Sequence, residues 1–375
     1  MREIIRILQR IPDPRQAWKI RYPLVEILLL SILAITSGAN SSYEIQTFGC
    51  NRILWLRRFI PLKEGVPNRL TIERVLRLLN PRTLREAYQQ LIDGLRSDTD
   101  ETIVPIDGKM YFYQHDKRDI GEALYMVSAW SVKHGLALGQ VTVDGKSNEI
   151  TAIPELLRLL DIKGATVTID AIGCQKAIVK QIVTKNKANY LLSLKSNQPT
   201  LYEEARLYAE DCLSCREDEK TYETMSSVQK GHGRIEKRQY FFFPDISWFA
   251  DRKDWTGLQA LTMVRSTRTL KGKPPTTECR YYITSLSSAQ DAFHAVRSHW
   301  QVENNLHWVL DVVFKEDDWK TRQANSAANL SVLRRLTAAL LKAENSVNLS
   351  VPNKRFQCAL DPDFLALVVF GIPLS

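Results

Sequence analysis

Asp107 ends an apolar run in Val104-Pro-Ile-Asp-Gly-Lys109, and Asp170 ends another in Val167-Thr-Ile-Asp-Ala-Ile-Gly173. Both runs are short, apolar and β-branched, which reads as strand. Strand ends of an α/β sheet are where ligands bind. A third carboxylate, Glu303, lies among Phe293, Val296, Trp300, His307, Leu310 and Phe314, which recur at steps of three and four. That spacing predicts one helix over Gln290–Phe314 with Glu303 on its inward face. An unpaired buried carboxylate costs roughly several kcal/mol, so a carboxylate aimed inward at two strand-end Asps calls for a compensating cation. Hard oxygen donors suit Mg2+, with Mn2+ as the alternative. Two such ions about 3.5–4 Å apart can clamp the attacking and leaving oxygens of a phosphodiester. Asp107 would bridge them, and Asp170 and Glu303 would each hold one. Convergence of the three side chains within metal-bridging reach is the structural expectation.

Other readings of these residues stand beside this one. Taken singly, Asp107 and Asp170 are ordinary strand-end or turn aspartates. His299, Glu303, His307 and Asp311 follow at four-residue steps, a stripe that could take zinc. Such a stripe drifts by about 40° per step of four, and no HExxH or Cys-His pattern supports it. The plainer role for both histidines is a structural hydrogen bond to Glu303 or to backbone. Cys212-Leu-Ser-Cys215 is a lone CxxC without the second pair of a zinc site. Trp300 and Trp308 read as core groups rather than base-stacking platforms.

The elements that must position these groups fall into two regimes. Residues 1–95 hold 15 Lys plus Arg against 8 Asp plus Glu, so +7 of the chain's formal +9 lies in its first quarter. A basic segment of this kind favours an anionic partner such as nucleic acid. The segment reads as helical: Leu24–Ile35, Tyr43–Phe59, Thr71–Leu79 and Thr83–Leu95, the last opened by a capping box at Thr83 and Glu86. The last two helices, studded with Arg69, Arg74, Arg77, Arg82 and Arg85, fit either a helix-turn-helix or plain packing with a basic outer face. The apolar run Val25–Ile35 contains Glu26 and is far short of the ~20 residues that cross a bilayer. No membrane association is expected. Scattered cysteines and the lack of a signal peptide point to a reducing cytoplasm, with the nucleoid as the site when DNA is bound.

Beyond the polar Ser97–Glu101 the pattern turns to strands: Thr102–Ile106, Ala123–Val132, Leu136–Val143, Thr166–Ile169 and Tyr190–Leu194. Helical stretches Ala152–Leu160 and Gln175–Thr184 separate the later ones. Three strands, then helix, strand, helix, strand is an α/β order that matches a ribonuclease-H-like core. Residues 203–223 are acid-rich and helical in pattern, followed by strand candidates at Tyr240–Phe243, Leu258–Arg265 and Glu278–Ile283. The expected organisation is a small all-helical N-terminal domain (1–97), a first part of the ribonuclease-H-like core (98–199), a partly β insertion (200–287), and a second part of the core with the Glu303 helix and C-terminal helices (288–375). Pro105 removes a backbone donor from what should be a central strand.

Several longer motifs are also present: Ile106-Asp-Gly-Lys109, Gly139-Gln-Val-Thr-Val-Asp-Gly-Lys-Ser-Asn-Glu-Ile-Thr-Ala-Ile-Pro-Glu-Leu-Leu157, Thr168-Ile-Asp-Ala-Ile-Gly-Cys-Gln-Lys176, Leu194-Lys-Ser-Asn-Gln198, Gly231-His-Gly-Arg-Ile-Glu236, and His299 through Phe314. On these the chain resembles the ISAs family of insertion-sequence transposases, the H-repeat-associated proteins of the Asp-Asp-Glu class. Asp13-Pro-Arg15 and Tyr22-Pro-Leu24 are similar to that family's helical associated domain. The resemblance implies Asp107, Asp170 and Glu303 as the catalytic triad, since each falls on the matching motif position. One segment departs from the family. A Thr-Leu-Arg-Gly-like stretch usually follows Asp-Gly-Lys, and here the chain reads Met110-Tyr-Phe-Tyr-Gln-His115.

The expected function is transposition of an insertion sequence: nicking at a transposon end, then attack of the freed 3′-OH on target DNA. The partners would be double-stranded DNA, both terminal inverted repeats and target, with a homodimer on the DNA. Lys109, Lys195, Asn197, His232, Arg234 and Arg238 are the candidates for phosphate or DNA contact, against solvated charge or local turn chemistry. A transposition-defective DNA-binding relative and a non-mobile nuclease of the same fold remain the alternatives.

Overall fold

Helical spacing of apolar residues and a polar cap at each break make the first quarter of the chain helical. The computed structural model describes residues 2–96, 101–112, 123–143, 149–214, 221–231, 233–318 and 324–371. Its first helices are α1 (Arg2–Gln9), α2 (Leu24–Thr36), α3 (Ser42–Leu56), α4 (Arg69–Leu78) and α5 (Pro81–Leu95). The side chains of Ser41, Asn68 and Asn80 cap α3, α4 and α5 by accepting from the amides of Glu44, Thr71 and Arg82. The start of α5 is therefore Asn80-Pro81 rather than a capping box at Thr83. Proline at the first position has no amide to satisfy, and Glu86 instead pairs with Arg82 at 3.1 Å. Along α2 every residue except Val25 is buried, including Glu26, whose carboxyl is pushed up by burial. Among the described residues no helix is long and apolar enough to cross a membrane.

The strands are β1 (Ile103–Phe112), β2 (Ala123–Ser131), β3 (Leu136–Val143), β4 (Thr166–Ile169), β5 (Asn189–Leu194), β6 (Glu223–Gly231), β7 (Arg234–Phe243), β8 (Ala260–Leu270) and β9 (Thr276–Thr284). They form one sheet in the order β3-β2-β1-β4-β5-β9-β8-β7-β6. Its first five strands are the ribonuclease-H-like core, antiparallel at β1–β2–β3 and parallel at β1–β4–β5. The expected insertion is continuous with this core, because β9 pairs antiparallel with β5 from Leu191↔Thr284 to Leu194↔Tyr281. Strand β6 goes beyond the sequence expectation: its residues are mostly polar and exposed, and its two apolar residues, Met225 and Val228, do not alternate, so no strand pattern marks it. Pro105 is tolerated because the β1–β2 register begins one residue later, at Ile106↔Ala129, where β2 is itself irregular.

Helices α6 (Glu149–Leu159), α7 (Lys176–Thr184) and α8 (Pro199–Ser214) cover one face of the sheet. Helix α9 (Ala289–His299) covers the other, with Ala292, Phe293 and Val296 against Ile103, Tyr240, Phe242 and Tyr282. Helices α10 (Ala324–Ala343), α11 (Val351–Leu360) and α12 (Pro362–Phe370) close the chain. They share a single apolar core with α1–α5 and with Val302, Leu306, Val309, Leu310 and Phe314. The buried guanidinium of Arg355, on α11, ties these parts together. It donates to the carbonyls of Ile35, Ala39 and Val313 and to Asn40 Oδ1. The N-terminal helices thus have no core of their own, and removing them would strip the cover from α10.

Candidate active site

Asp107 and Asp170 come together because β1 and β4 run parallel and in register. Asp170 follows the end of β4, whereas Asp107 lies within β1, which runs on to Phe112 beside β2 rather than ending at the aspartate as expected. The last β1–β4 pair is Ile106↔Ile169, and each Asp follows by one residue. Adjacent strands lie about 4.8 Å apart, and side chains two residues apart share a face. Ile103 packs under α9, so Pro105 and Asp107 face that side; Thr168 bonds to the end of α9, so Asp170 does too. Asp170 also caps the short turn Ala171–Gly173, accepting from the Ile172 amide at 3.2 Å. Gly173 leaves no room for a side chain there, since a Cβ would lie 2.4 Å from Ile169 Cγ2.

Each aspartate has a histidine beside it, an arrangement the sequence did not reveal. His307 Nδ1 lies 3.4 Å from Asp107 Oδ2. Burial, then the positive charges of Arg335 and Lys109, push its pKa down to about 3. A neutral imidazole has one N–H, and Asp107 is the acceptor facing it at Nδ1. His299 Nδ1 lies 2.9 Å from Thr168 Oγ1, two residues before Asp170. Burial lowers its pKa, with the Asp170 charge opposing. Neither histidine plays the expected part of bonding to Glu303. Lys109 pairs with Asp311 across the same site.

The helix carrying Glu303 differs from expectation. It stops at His299, turns at Trp300, and continues as π-helical turns at Glu303–His307 and Val309–Val313. A π turn adds a residue, so faces drawn from α-helical spacing no longer align. Glu303 is exposed, and Trp300 and Trp308 are 43% and 52% exposed rather than core. Among the described residues no three His, Cys, Asp or Glu side chains are gathered closely enough to hold a metal ion. The expected convergence of all three carboxylates is thus not met, and the four-residue zinc stripe is broken by the same π turns. Cys215 lies outside the described residues.

Comparison with known proteins decides the family. The Transposase DDE domain family matches residues 93–341, and the DDE_Tnp_1-associated family matches residues 5–92. The chain belongs to the DDE transposase family. Relatives of this transposase in Escherichia coli (strain K12) include "H repeat-associated putative transposase YhhI", 35% identical, and "Putative protein YbfL", 36% identical, each aligned over 100% of both chains. Among solved structures, a piggyBac transposase synaptic complex with hairpin DNA aligns over 100% of this chain and 80% of that one. That alignment has a TM-score of 0.49 at 12% sequence identity.

The candidate DNA contacts of the transposase are differently placed. Lys195 and Arg234 are exposed. Asn197 donates to the Ala171 carbonyl at 2.5 Å, which braces the turn after Asp170. Arg238 pairs with Glu236 at 2.8 Å and bonds Gln229 at 2.9 Å. Lys109 is turned to Asp311, and His232 lies outside the described residues.

The seating of Asp107 makes a prediction. His307→Ala should lower cleavage by about 10–100-fold and raise the divalent-metal concentration needed for half-maximal rate, as loss of a group that orients a ligand does. His307→Gln, which keeps an N–H donor, should recover part of both. Equal loss in the two variants with an unchanged metal requirement would assign His307 to packing alone.

Proposed function

We propose that the chain cuts the ends of an insertion sequence and joins them to target DNA, with Asp107, Asp170 and Glu303 as its metal-holding carboxylates. The observation that carries this reading is the parallel register that sets Asp107 beside Asp170 on the α9 face, each with a neutral histidine behind it. The donor set is all carboxylate oxygen, which suits Mg2+, or Mn2+ in its place. Asp107 and Asp170, on neighbouring strands, would hold such an ion between them; Glu303 would complete the set only after its side chain or its π turn moves. When bound, the metal polarises the scissile phosphodiester and favours the deprotonated attacking oxygen.

The chain's own groups do the rest. The neutral His307 ring lies beside one Asp107 oxygen and can steady it without adding positive charge that would compete with the ion. Asp170 is fixed by the Ile172 amide and by the Asn197-braced turn behind it. The partner is double-stranded DNA, as terminal inverted repeats and as target, held by a homodimer in the cytoplasm. Arg69, Arg74, Arg77 and Arg82 stand exposed on α4 and α5 and offer phosphate contacts; Lys195 and Arg234 offer others nearer the sheet.

The test is an in vitro reaction of the full chain with a duplex bearing the inverted repeats that flank its gene. Metal-dependent 3′-OH ends and their joining to a target plasmid are expected. Binding without cleavage would instead support a transposition-defective relative, the reading favoured by the exposed Glu303. Cleavage without joining would support a nuclease.

A further inference from the structure

The extended part of the sheet forms an arm whose outer half is exposed on both faces. On β7 the inner residues Tyr240 and Phe242 pack under α9, so Arg234, Glu236 and Arg238 share the α9 side. Antiparallel register puts Arg268 opposite Glu236, Ser266 opposite Arg238 and Glu278, and Arg280 opposite Val264. Arginines from three strands therefore line one face: Arg234, Arg238, Arg268 and Arg280. Glu236 and Glu278 on this face pair with Arg238 and Arg280. Arg234 and Arg268 are exposed and form no ion pair among the described residues.

Two features relate this face to the aspartates. It is the α9 side, the side on which Asp107 and Asp170 sit. It also projects from the same end of the sheet. Leu194↔Tyr281 is the last β5–β9 pair, so Thr276–Arg280 run past the C-terminal end of β5, and the aspartates lie just past the last β1–β4 pair, at the C-terminal end of β4. Between the two, the Arg280 guanidinium lies 5.1 Å from the centre of the Trp300 ring, next to His299. The surface is thus continuous from aspartate to arm.

We infer that the α9-side face of this arm is a docking surface for the sugar-phosphate backbone of duplex DNA whose scissile bond lies at Asp107 and Asp170. The inference rests on the transposase reading of those carboxylates. It excludes the opposite face, where Lys230, Lys237 and Arg265 are also basic but look away from the aspartates. From β1 to β7 is five strand steps, about 24 Å along the sheet at ~4.8 Å each. At ~3.4 Å per base pair, the arm would meet the backbone about seven base pairs from the cut.

The test compares Arg234→Gln/Arg268→Gln with Lys230→Gln/Lys237→Gln in the full chain. All four side chains are exposed, so both variants should melt like wild type. DNA affinity is measured against salt concentration in Ca2+, on a duplex carrying the flanking inverted repeat and on one of random sequence. The arginine pair should lower the log–log salt slope by about two, near 0.9 for each phosphate no longer neutralised, and the lysine pair should leave it unchanged. Hydroxyl-radical footprinting of the arginine variant should lose protection about seven base pairs from the cut and keep it elsewhere. An equal or larger effect of the lysine pair, or no effect of the arginine pair, overturns the inference. These binding readouts need no cleavage, so a wild-type chain that fails to cut in Mg2+ would count against the transposase reading and leave the arm to be judged by its slopes.

Discussion

Asp107→Asn, Asp170→Asn and Glu303→Gln each abolish divalent-metal-dependent cleavage of end DNA, by at least ~10³-fold, while DNA affinity stays near wild type. Each change keeps the size of the side chain and removes an anionic oxygen donor. The two aspartates already stand side by side just past the last β1–β4 pair, so their loss acts on a pair the fold has already set together. Glu303 is the more searching case because it is exposed and outside any gathered metal group among the described residues. A severe defect in Glu303→Gln, with wild-type melting behaviour, would mean that the π-helical segment brings this carboxylate in during catalysis. A Glu303→Gln protein that cuts normally would remove it from the triad. The zinc reading ranks the variants the other way, with His299→Ala and His307→Ala inactive and Asp107→Asn and Asp170→Asn active.

The largest stability effect is expected from Glu316→Gln. Glu316 and Arg335 are both buried, with Oε1 and Nη1 3.2 Å apart and Ser331 Oγ donating to the same carboxylate at 2.6 Å. Removing one partner of a buried ion pair leaves the other charge uncompensated, at a cost of about 3–5 kcal/mol. Urea denaturation followed by circular dichroism measures it, and a change below ~1 kcal/mol would show that Arg335 does not depend on this carboxylate. The pair also sets an acid limit. Burial by itself raises the Glu316 pKa, but the charges of Arg335 and Arg334, the Ser331 hydroxyl and the Lys109 charge together outweigh it and hold the carboxyl below the usual 4.5. Its contribution is then full above pH 4.5 and lost as pH falls through the lower folded value, because the unfolded chain binds the proton first. Glu316→Gln should remove that part of the acid sensitivity.

The first five strands, their order and both aspartates are legible in the sequence because period-two and apolar runs survive wherever a strand is buried. The second half of the sheet is only partly so. Tyr240–Phe243 and Glu278–Ile283 carry buried inner ends and read as strand; Glu223–Gly231 buries no residue and leaves no pattern. Glu303 shows the opposite limit. Its spacing from Trp300 and His307 is a sound α-helical pattern, but hydrogen bonding in that segment shifts to π turns, and Trp300 and Glu303 move to the exposed side while His307 stays buried. Spacing reads a face only when the turn length is known. The histidine–aspartate pairing is hidden for another reason: His307 and Asp107 are 200 residues apart in sequence and meet only through the fold. The single core joining α1–α5 to α10–α12 is equally invisible, since an apolar helix does not name its neighbour.

The central claim, that Asp107, Asp170 and Glu303 hold the catalytic metal, is tested most directly by a structure of the full chain bound to end DNA with Mn2+. Anomalous scattering would place the ion. Manganese is expected between Asp107 and Asp170 at about 2.0–2.3 Å from their oxygens, with Glu303 turned in to share it and the scissile phosphate as a further ligand. Manganese bound at His299 and His307 without either aspartate, or DNA seated on the sheet with both aspartates free of metal, would contradict it.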